Sequence, residues 1–384
     1  MPRPILSPTE RAAAPRAAGA GDGGSLTILH LTHQGGGAGS TVSIAALAAA
    51  QRAAGHRVLV GCPDGSLLAA LARGAGAEVR PLVFDRAARV AARVIRLVEA
   101  EGVDVVNSHA SRDRAACRWA RLAGRLDAAC VMTRRQMPRS LPVSVLLNGF
   151  AADCTIAVSR AVARALLRRG APAWRVRVVP NGVDPARVDR AVTAAELDTA
   201  RVLAGWRPWR PTVGIVARRK DHEVLVRALA LLDEPLTVAL VGVGPDRELA
   251  ALAAAAPQHE VRCIPFRPPA DVVPFYRLFD AVVLPSRGEG LSQALLEAMA
   301  LGVPVVASRA GGNVDLVTHD VDGLLVAPRE PPAFAGALAR LLGDAALRRR
   351  LGEQGRRTAR ERFSLEATAI LTEAAYRAAL AQRR

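Results

Sequence analysis

Short runs of hydrophobic residues alternate along this chain with longer segments in which hydrophobic residues recur at helical spacing. Seven runs in the first half predict strands, at residues 26–31, 57–61, 78–82, 103–107, 129–133, 155–158 and 176–179. The first is followed by a glycine-rich turn at 35–40 and a helical segment at 41–54. Strands that are hydrophobic throughout and separated by helices indicate a parallel sheet with helices on both faces.

The alternation is repeated in the second half, after turn residues at 180–184 and an irregular stretch at 185–211. Six further runs predict strands, at residues 212–217, 236–241, 261–264, 281–284, 303–307 and 323–326. A helix is predicted at 340–362 and an amphipathic one at 364–381. The pattern therefore predicts an α/β protein with two Rossmann-like domains that face each other across a cleft. Ligands are expected in the cleft, at the carboxyl ends of the strands.

We divide the chain into four parts. Residues 1–24 are rich in Pro, Ala, Gly and Arg without periodicity and are predicted to be a disordered tail. Residues 25–190 and 191–363 are predicted to form the two domains, and residues 364–384 a helix that packs back on the first domain. A length of 384 residues fits two domains of ordinary size.

The net charge is +17 at pH 7, yet Lys220 is the only lysine among 52 basic residues. The abundance of arginine and alanine indicates a bias in the composition of the whole chain. The net positive charge is therefore weak evidence about which molecules the protein binds. Aromatic residues make up 3% of the chain and no nucleic-acid-binding motif is present, which argues against nucleic acid. Arginine clusters are more compatible with weak association with the anionic inner surface of a membrane.

The cysteines are odd in number and lack C-x-x-C spacing; they are Cys62, Cys117, Cys130, Cys154 and Cys263. This predicts reduced, buried thiols in the cytoplasm, with neither disulfides nor a metal site. No hydrophobic stretch reaches the roughly 18 residues of a membrane helix. The N-terminal residues also lack the hydrophobic region of a secretory signal. We therefore expect a cytoplasmic protein, with membrane contact at most peripheral.

Two glycine-rich turns depart from known nucleotide-binding sequences. The turn at 35–41 lacks the lysine of a Walker A loop, and the turn at 242–245 lacks the third glycine of G-x-G-x-x-G. ATP-dependent phosphoryl transfer and NAD-dependent hydride transfer are therefore not supported. Gly37 and Gly244 remain candidates for the approach of an anionic ligand to a helix N-terminus, and a simple tight turn is the alternative for each.

The most informative segment is residues 286–312, where a strand leads into a helix through the sequence PSRGEGLS. Glycines on both sides of Glu289 leave this turn uncrowded, and backbone amides at the start of the helix favour a diphosphate. Since phosphate repels a carboxylate, Glu289 is expected to accept hydrogen bonds from sugar hydroxyls. Glu297 lies about two turns further on and can reach another part of the same ligand. The predicted ligand contacts are Gly288, Glu289, Gly290, Leu291, Ser292 and Glu297.

Glu289 and Glu297 form an E-x7-E pair within PSRGEGLSQALLEAMALGVPVVAS, which closely resembles family 4 of the retaining glycosyltransferases, enzymes with the GT-B fold. The likeness extends to the stretches VVPNGVD and AVSR and to the early glycine-rich turn. It implies a nucleotide-diphosphate sugar as donor, without a cofactor or a metal ion. It also implies that Glu289 contacts the donor sugar and Glu297 the ribose, while Asp315 stands where many members have Glu.

The resemblance further implies that an arginine and a lysine after the first strand of the second domain neutralise the leaving diphosphate. Lys220 is the lysine, and the short loop before it leaves both Arg218 and Arg219 as candidates for the arginine. Lys220 is also assigned a catalytic role, because arginine would be expected there from composition alone. His109 follows a strand of the first domain, where members often have a histidine near the transfer point. It is predicted to be catalytic, with a structural loop histidine as the alternative.

Five residues that follow the ends of neighbouring strands of the first domain could bind an anionic acceptor, namely Arg112, Arg114, Thr133, Arg134 and Arg135. Of these, Arg112, Arg134 and Arg135 are the predicted acceptor contacts. The stretches NSHAS and VMTRRQ around them are loosely similar to members that act on lipopolysaccharide-type acceptors. Solvated surface arginines are the alternative.

The sequence thus predicts a retaining, metal-independent glycosyltransferase. The second domain would bind the donor and the first domain a glycan, lipid-linked or small-molecule acceptor. Two other functions stay open, a non-hydrolysing nucleotide-sugar epimerase and a catalytically silent nucleotide-sugar-binding protein.

Overall fold

Two parallel sheets form the framework of the protein, as the hydrophobic runs predict. They are seen in a computed structural model that describes residues 24–37, 39–265 and 271–383. The tail predicted at 1–24 lies outside the described residues except for Gly24.

The first sheet has seven strands in the order β3-β2-β1-β4-β5-β6-β7. Its strands are β1 (Thr27–Leu31), β2 (Arg57–Cys62), β3 (Glu78–Pro81), β4 (Val105–Ser108), β5 (Ala129–Arg134), β6 (Cys154–Ala157) and β7 (Val176–Val178). The helices between them are α1 (Gly39–Ala53), α2 (Leu67–Gly74), α3 (Ala87–Glu101), α4 (Ser111–Leu122), α5 (Pro142–Ala151) and α6 (Arg160–Leu167).

The second sheet has six strands in the order β10-β9-β8-β11-β12-β13. Its strands are β8 (Thr212–Val216), β9 (Thr237–Val241), β10 (Glu260–Ile264), β11 (Ala281–Leu284), β12 (Val305–Ser308) and β13 (Leu324–Val326). Two helices connect the sheets, α7 (Pro185–Val188) and α8 (Ala194–Ala204). The helices of the second half are α9 (His222–Leu229), α10 (Arg247–Ala253), α11 (Val273–Tyr276), α12 (Gln293–Ala300), α13 (Asn313–Leu316), α14 (Pro331–Gly343), α15 (Ala345–Arg362) and α16 (Leu365–Ala381).

Each sheet reverses its strand order at one place, between β1 and β4 in the first and between β8 and β11 in the second. In open parallel sheets the loops that leave such a pair of strands diverge to opposite faces, which opens a crevice at the carboxyl edge. The two crevices are therefore the places where ligands are expected. The architecture is the two-sheet α/β arrangement that the sequence predicts.

The single helix predicted at 340–362 is wrong, because two helices, α14 and α15, meet at Asp344. Asp344 has an extended backbone, and its carboxylate accepts the amide of Leu347 at 2.9 Å. An aspartate in this geometry is an N-cap, which starts a new helix and so separates α15 from α14.

The last helix, α16, lies against the first sheet. Ser364 begins it by accepting the amide of Ala367, and Val183 pairs with Ser364 in a short bridge. Tyr376 is fully buried among β-strand residues such as Ile28 and Val131, and its hydroxyl accepts a hydrogen bond from Asn107 Nδ2 at 2.6 Å. The helix therefore completes the hydrophobic core on one face of the first sheet.

Three kinds of feature are absent from the described residues, namely helices that could span a membrane, metal-binding clusters and disulfides. No helix has the length and hydrophobicity that crossing a bilayer requires. No group of three or more His, Cys, Asp or Glu side chains is arranged to hold a metal ion there. All five cysteines are free thiols, and four of them are buried.

Candidate functional site

Lys220 and Glu289 meet at the crevice of the second sheet. Lys220 follows β8 and Glu289 follows β11, and these two strands are neighbours at the point where the strand order reverses. Lys220 Nζ lies 2.8 Å from Glu289 Oε1, with the carboxylate mostly buried and the ammonium group partly open to solvent. The sheet topology thus joins two predicted site residues that are far apart in sequence.

The turn before α12 presents unused backbone donors beside this ion pair. Within the described residues, no hydrogen bond uses the amides of Gly290, Leu291 or Ser292. Gly312 packs against the other side of the turn, where its amide donates to the Glu289 carbonyl at 2.9 Å. Only glycine fits at this position, because a Cβ on residue 312 would lie 1.6 Å from the Gly290 carbonyl oxygen. Free amides at a helix N-terminus next to an ammonium group form a site for an anion such as a phosphate.

The two candidate arginines have different surroundings. Arg219 contacts three carboxylates, those of Glu223, Asp246 and Glu248. Arg218 instead reaches across the cleft, where its Nη2 donates to the Gly37 carbonyl at 3.3 Å. Its guanidinium has no carboxylate partner among the described residues, so it retains its capacity to bind an anion.

Glu297 lies inside α12 and is 4% exposed. Its Oε1 accepts a hydrogen bond from Arg187 Nε at 3.1 Å, and the other side of Arg187 contacts Asp271. Burial raises the pKa of Glu297, and the neighbouring Arg187 opposes that rise. The structure therefore pairs Glu297 with Arg187 of α7, in the connection between the sheets.

The first domain closes over this turn from the opposite side. A Cβ on Gly290 would lie 2.2 Å from the carbonyl oxygen of Arg135, and one on Gly39 would lie 3.0 Å from Gln293 Cβ. The N-termini of α1 and α12 therefore approach each other across the cleft. Gly244 borders open space with no atom within 4 Å of its would-be Cβ, and Gly288 has Arg139 Nη2 as its nearest neighbour at 3.8 Å.

His109 lies at the crevice of the first sheet, in a chain of buried polar groups. Arg135 Nε donates to His109 Nδ1 at 3.4 Å, so the proton of this ring is on Nε2, which donates to His30 Nδ1 at 3.0 Å. His30 Nε2 then donates to Gln51 Oε1 at 2.6 Å. Burial and the charge of Arg135 hold the pKa of His109 well below its usual range, so the ring is neutral.

An arginine-lined cavity of about 150 Å³ adjoins His109. Four arginines line it, Arg114, Arg134, Arg135 and Arg139, and no acidic residue does. Arg112 does not line it, because this side chain points elsewhere and donates to the Phe84 carbonyl at 3.0 Å. Of the three predicted acceptor-binding arginines, the structure therefore brings together Arg134 and Arg135.

The buried Arg134 and the half-buried Arg135 have no counter-ion among the described residues. Burial, with repulsion from Arg114 and Arg169, lowers the pKa of Arg134 to about 9. Burial lowers the pKa of Arg135 to about 10, although this side chain has neutral partners in Ser43 and Asn181. Both remain charged at neutral pH, at a cost in free energy that an anionic ligand would remove.

Sequence reasoning missed several pairings in this region. Asp315 on α13 accepts the amide of Ala161 at the start of α6, at 2.9 Å, and so links the two domains. His30 and Gln51, which sequence reasoning did not single out, form the polar chain with His109. These contacts join residues that are distant along the chain, so no local pattern marks them.

Comparison with known proteins gives matches along most of the chain. Residues 37–187 match the family described as Glycosyltransferase Family 4, and residues 210–344 match the one described as Glycosyl transferases group 1. A D-inositol 3-phosphate glycosyltransferase from Jonesia denitrificans is 34% identical over 217 residues, which are 53% of this chain and 51% of that protein. The chain spans about half the length of the curated relatives it matches.

Two solved structures show the same fold at low sequence identity. The structure of HepE from Anabaena in complex with UDP-glucose has a TM-score of 0.78 and 22% identity, covering 91% of this chain and 99% of that one. Sucrose-phosphate synthase from Thermosynechococcus elongatus has a TM-score of 0.73 and 22% identity, covering 93% and 100%. At this identity the likeness establishes the architecture, which is GT-B.

Proposed function

Because this chain belongs to the group 1 glycosyltransferases of family 4, we propose that it transfers a sugar from a nucleotide-diphosphate donor to an acceptor with retention of configuration. The observation that carries the proposal is that the side chains of Lys220 and Glu289 lie in contact beside the free backbone amides of the turn before α12. A cation and amide donors suit a diphosphate, and a carboxylate beside them suits sugar hydroxyls.

The donor would bind between the two helix N-termini. Its diphosphate would contact Lys220, Arg218 and the amides of Leu291 and Ser292, and it would draw Lys220 away from Glu289. The released carboxylate of Glu289 would then accept hydrogen bonds from the sugar. Arg219 would hold the loop in place through its three carboxylates, which explains why we assign the diphosphate contact to Arg218. Glu297 would bind the ribose, since it is set two helical turns further along.

Transfer breaks the bond between the anomeric carbon and the leaving phosphate oxygen and forms a bond from that carbon to the acceptor oxygen. The positive groups around the diphosphate stabilise the negative charge that develops on it. The proton of the acceptor hydroxyl would pass to the departing phosphate. His109 would stay neutral near the transfer point, because its low pKa leaves it without a second ring proton to donate as an acid at neutral pH, and its remaining proton is donated to His30.

Alanine variants test the donor site. Lys220→Ala, Arg218→Ala and Glu289→Ala should each lower kcat/KM for donor hydrolysis or transfer by about 10²–10³, the usual effect of removing one group that stabilises developing charge. Arg219→Ala is the matched control and should act mainly on thermal stability. Near-normal rates in both Lys220→Ala and Glu289→Ala would contradict the proposal.

The stereochemistry and the alternatives need separate measurements. The anomeric configuration of the product, read by NMR, should equal that of the donor, and addition of EDTA should leave the rate unchanged. Exchange of the sugar C2 proton in heavy water without an acceptor would instead indicate an epimerase. Donor binding without any turnover would indicate a silent binding protein.

We also propose that the protein associates peripherally with an anionic membrane surface. The helix α5 exposes Val143, Leu147 and Phe150 on one side, and Phe150 packs edge-on against the exposed Trp174, with ring centroids 6.3 Å apart. Arginines border this pair, since Arg175 donates to the Phe150 carbonyl and Arg177 to the Trp174 carbonyl. Exposed aromatic and aliphatic side chains bordered by cations fit a surface of anionic lipids.

Vesicle sedimentation tests the association. The protein should bind vesicles containing phosphatidylglycerol and not vesicles of phosphatidylcholine alone, and the paired change Phe150→Ser with Trp174→Ser should weaken binding about tenfold or more. Trp209→Ser is the control, because Trp209 is as exposed but lies outside this face. Equal binding by the control and the paired variant would refute a specific lipid-binding face.

A further inference from the structure

The guanidinium of Arg134 lines the cavity beside His109 without a bonding partner. The residue is 6% exposed, and no hydrogen bond or ion pair of its side chain occurs within the described residues. A buried cation without a counter-charge is costly, and such groups are normally paired. The cost is unexplained by anything in the free protein.

Neighbouring groups increase the positive charge of the cavity. Arg114 is also buried; its Nη1 donates to the His109 carbonyl at 2.9 Å, and its Nε has no partner. Arg169 is close enough to repel Arg134, and Arg139 borders the opening. Positive charge thus surrounds the cavity from α4, from the end of β5 with the turn after it, and from the turn after α6.

The nearby acid cannot serve as the counter-ion. Asp113 is fully buried, and one of its oxygens accepts the amides of His109 and Ala110 at 2.7 and 2.6 Å. Its other oxygen lies 2.9 Å from His33 Nδ1. The Asp113 carboxylate is therefore already bonded to backbone amides at the start of α4. Ser111, the first residue of this helix, lines the cavity. Burial lowers the pKa of Arg114 and the charge of Asp113 opposes that effect, whereas no acid opposes the lowering of the pKa of Arg134.

We propose that this cavity binds a phosphate monoester carried by the acceptor, with Arg134 as the central contact. The inference rests on the proposed glycosyltransferase function and names the class of its acceptor. A phosphate monoester carries a charge of about −1.5 to −2 at neutral pH and three acceptor oxygens, which match several arginine donors. The cavity is smaller than the roughly 300–1,000 Å³ of sites that enclose whole drug-sized ligands, so it suits one compact group.

The position of the cavity relative to the donor site agrees with this assignment. Arg134 ends β5, and the next residue, Arg135, contacts both His109 and, through its carbonyl, the Gly290 turn. A phosphate in the cavity would hold the acceptor next to the place where the donor sugar is expected. The donor diphosphate would lie on the other side of the cleft, with Lys220.

A thermal-shift titration with inorganic phosphate tests the site. The full chain would be titrated with phosphate or with sodium chloride of equal ionic strength, in excess UDP so that the donor-side cations are occupied. Phosphate should stabilise the wild type, and Arg134→Met should raise its apparent Kd about tenfold or more, as expected for a lost bond between charged groups. Arg112→Met, which changes an arginine outside the cavity, should keep the wild-type value.

Stability without the anion gives a second readout. In sodium chloride, Arg134→Met should unfold at the same temperature as the wild type or higher, because it removes an uncompensated buried charge. A large drop in both Arg134→Met and Arg134→Gln would show that Arg134 is a structural residue and would overturn the proposal. An apparent Kd for phosphate that is the same in Arg134→Met and Arg112→Met would also overturn the proposal.

Acceptor kinetics separate this inference from the proposed function. With paired acceptors, a sugar and its monophosphate, Arg134→Met should raise KM for the phosphorylated member by a much larger factor than for the plain sugar, and Arg112→Met should raise neither. Donor turnover with no preference for the phosphorylated acceptor would reject the phosphate site and keep the glycosyltransferase. Absence of donor turnover would reject the glycosyltransferase instead. Stabilisation by acetate equal to that by phosphate would overturn the assignment in favour of a carboxylate.

Discussion

At the scale of single residues, His30 shows how the polar interior constrains protonation. The ring is fully buried and bonded on both nitrogens, to His109 and to Gln51. Burial lowers the pKa of His30 to about 4, against the opposing effect of the Gln51 hydrogen bond. His109, His222 and His259 have lowered pKa values for the same main reason, burial.

These histidines predict a loss of stability in acid. Between about pH 6.5 and pH 4 the unfolded chain binds a proton at position 30 that the folded chain does not, so the free energy of unfolding falls as pH falls. The fall due to His30 is about 3 kcal/mol across that window. Urea unfolding at a series of pH values measures it.

The variant His30→Gln should flatten this pH dependence, because glutamine keeps a donor and an acceptor but does not titrate. His319→Gln, outside the chain of rings, should leave the slope unchanged. An unchanged slope in His30→Gln would mean that His30 titrates normally in the folded protein.

At the scale of elements, two turns make contact across the cleft, one leaving β5 and one leaving β11. Their approach depends on Gly290, because any side chain there would occupy the position of the Arg135 carbonyl. Backbone contact of this kind is possible only at glycine, and it brings the Arg134 end of the first sheet to the Glu289 end of the second.

We expect Gly290→Ala to separate activity from folding. Its Cβ would lie 2.2 Å from an atom of the other domain, so each sheet can still form while the two turns cannot meet. Transfer should fall about 100-fold, as for other misplacements of about 1 Å, with only a small change in Tm. The rate of sugar transfer and the Tm are measured on the same preparation of the variant.

Gly343→Ala is the control, since Gly343 ends α14 and its Cβ would have no atom within 4 Å. Equal activities of the Gly343→Ala and Gly290→Ala proteins would show that the contact between the turns does not matter for transfer.

At the scale of the whole molecule, the two domains are joined by polar contacts at both ends of the cleft. The Asp315 carboxylate accepts an amide at the start of α6, and Arg218 donates to the Gly37 carbonyl. These hydrogen bonds are part of a larger interface, because buried hydrophobic residues of both domains belong to one cluster that includes Val162 of the first domain and Leu291 and Leu316 of the second. Relative motion of the domains, which a cleft enzyme needs for its donor to enter, would have to break polar contacts of this kind.

Asp315→Ala should shift the protein toward a more open arrangement. Losing a carboxylate at a helix start costs about 1 kcal/mol, which corresponds to a roughly fivefold change in the equilibrium between the arrangements. Small-angle scattering should show a larger radius of gyration with UDP bound, and kcat/KM should fall by a similar factor. Asp320→Ala, which breaks ion pairs inside the second domain, should change neither.

The strands were predictable because parallel strands covered on both faces are hydrophobic along their whole length. The runs at 129–133 and 281–284 correspond to β5 and β11 within a residue or two. The break between α14 and α15 was missed because one N-cap aspartate, Asp344, hardly disturbs a helical pattern. The spacing of hydrophobic residues shows which face of a helix is buried, but it does not show where an N-cap residue ends one helix and begins the next.

The candidate site was predictable only where a local motif exists. Glu289 and its glycines belong to one turn, and Lys220 was noticeable in a chain otherwise without lysine. The distinction between Arg112 and Arg134 could not be made from the sequence, because it depends on which side chain points to Phe84 and which to the cavity. Pairings across the fold, such as Asp315 with Ala161, require the arrangement of both sheets.

The return of α16 to the first sheet has a consequence for synthesis on the ribosome. The face of the sheet that Tyr376 covers includes Leu26, Ile28 and Val131, and these residues emerge before the entire second sheet is translated. At about 5–20 residues per second, the delay is on the order of ten seconds or more. During that time the nascent first domain would present a hydrophobic surface, so it should be a client of chaperones until the chain reaches Tyr376.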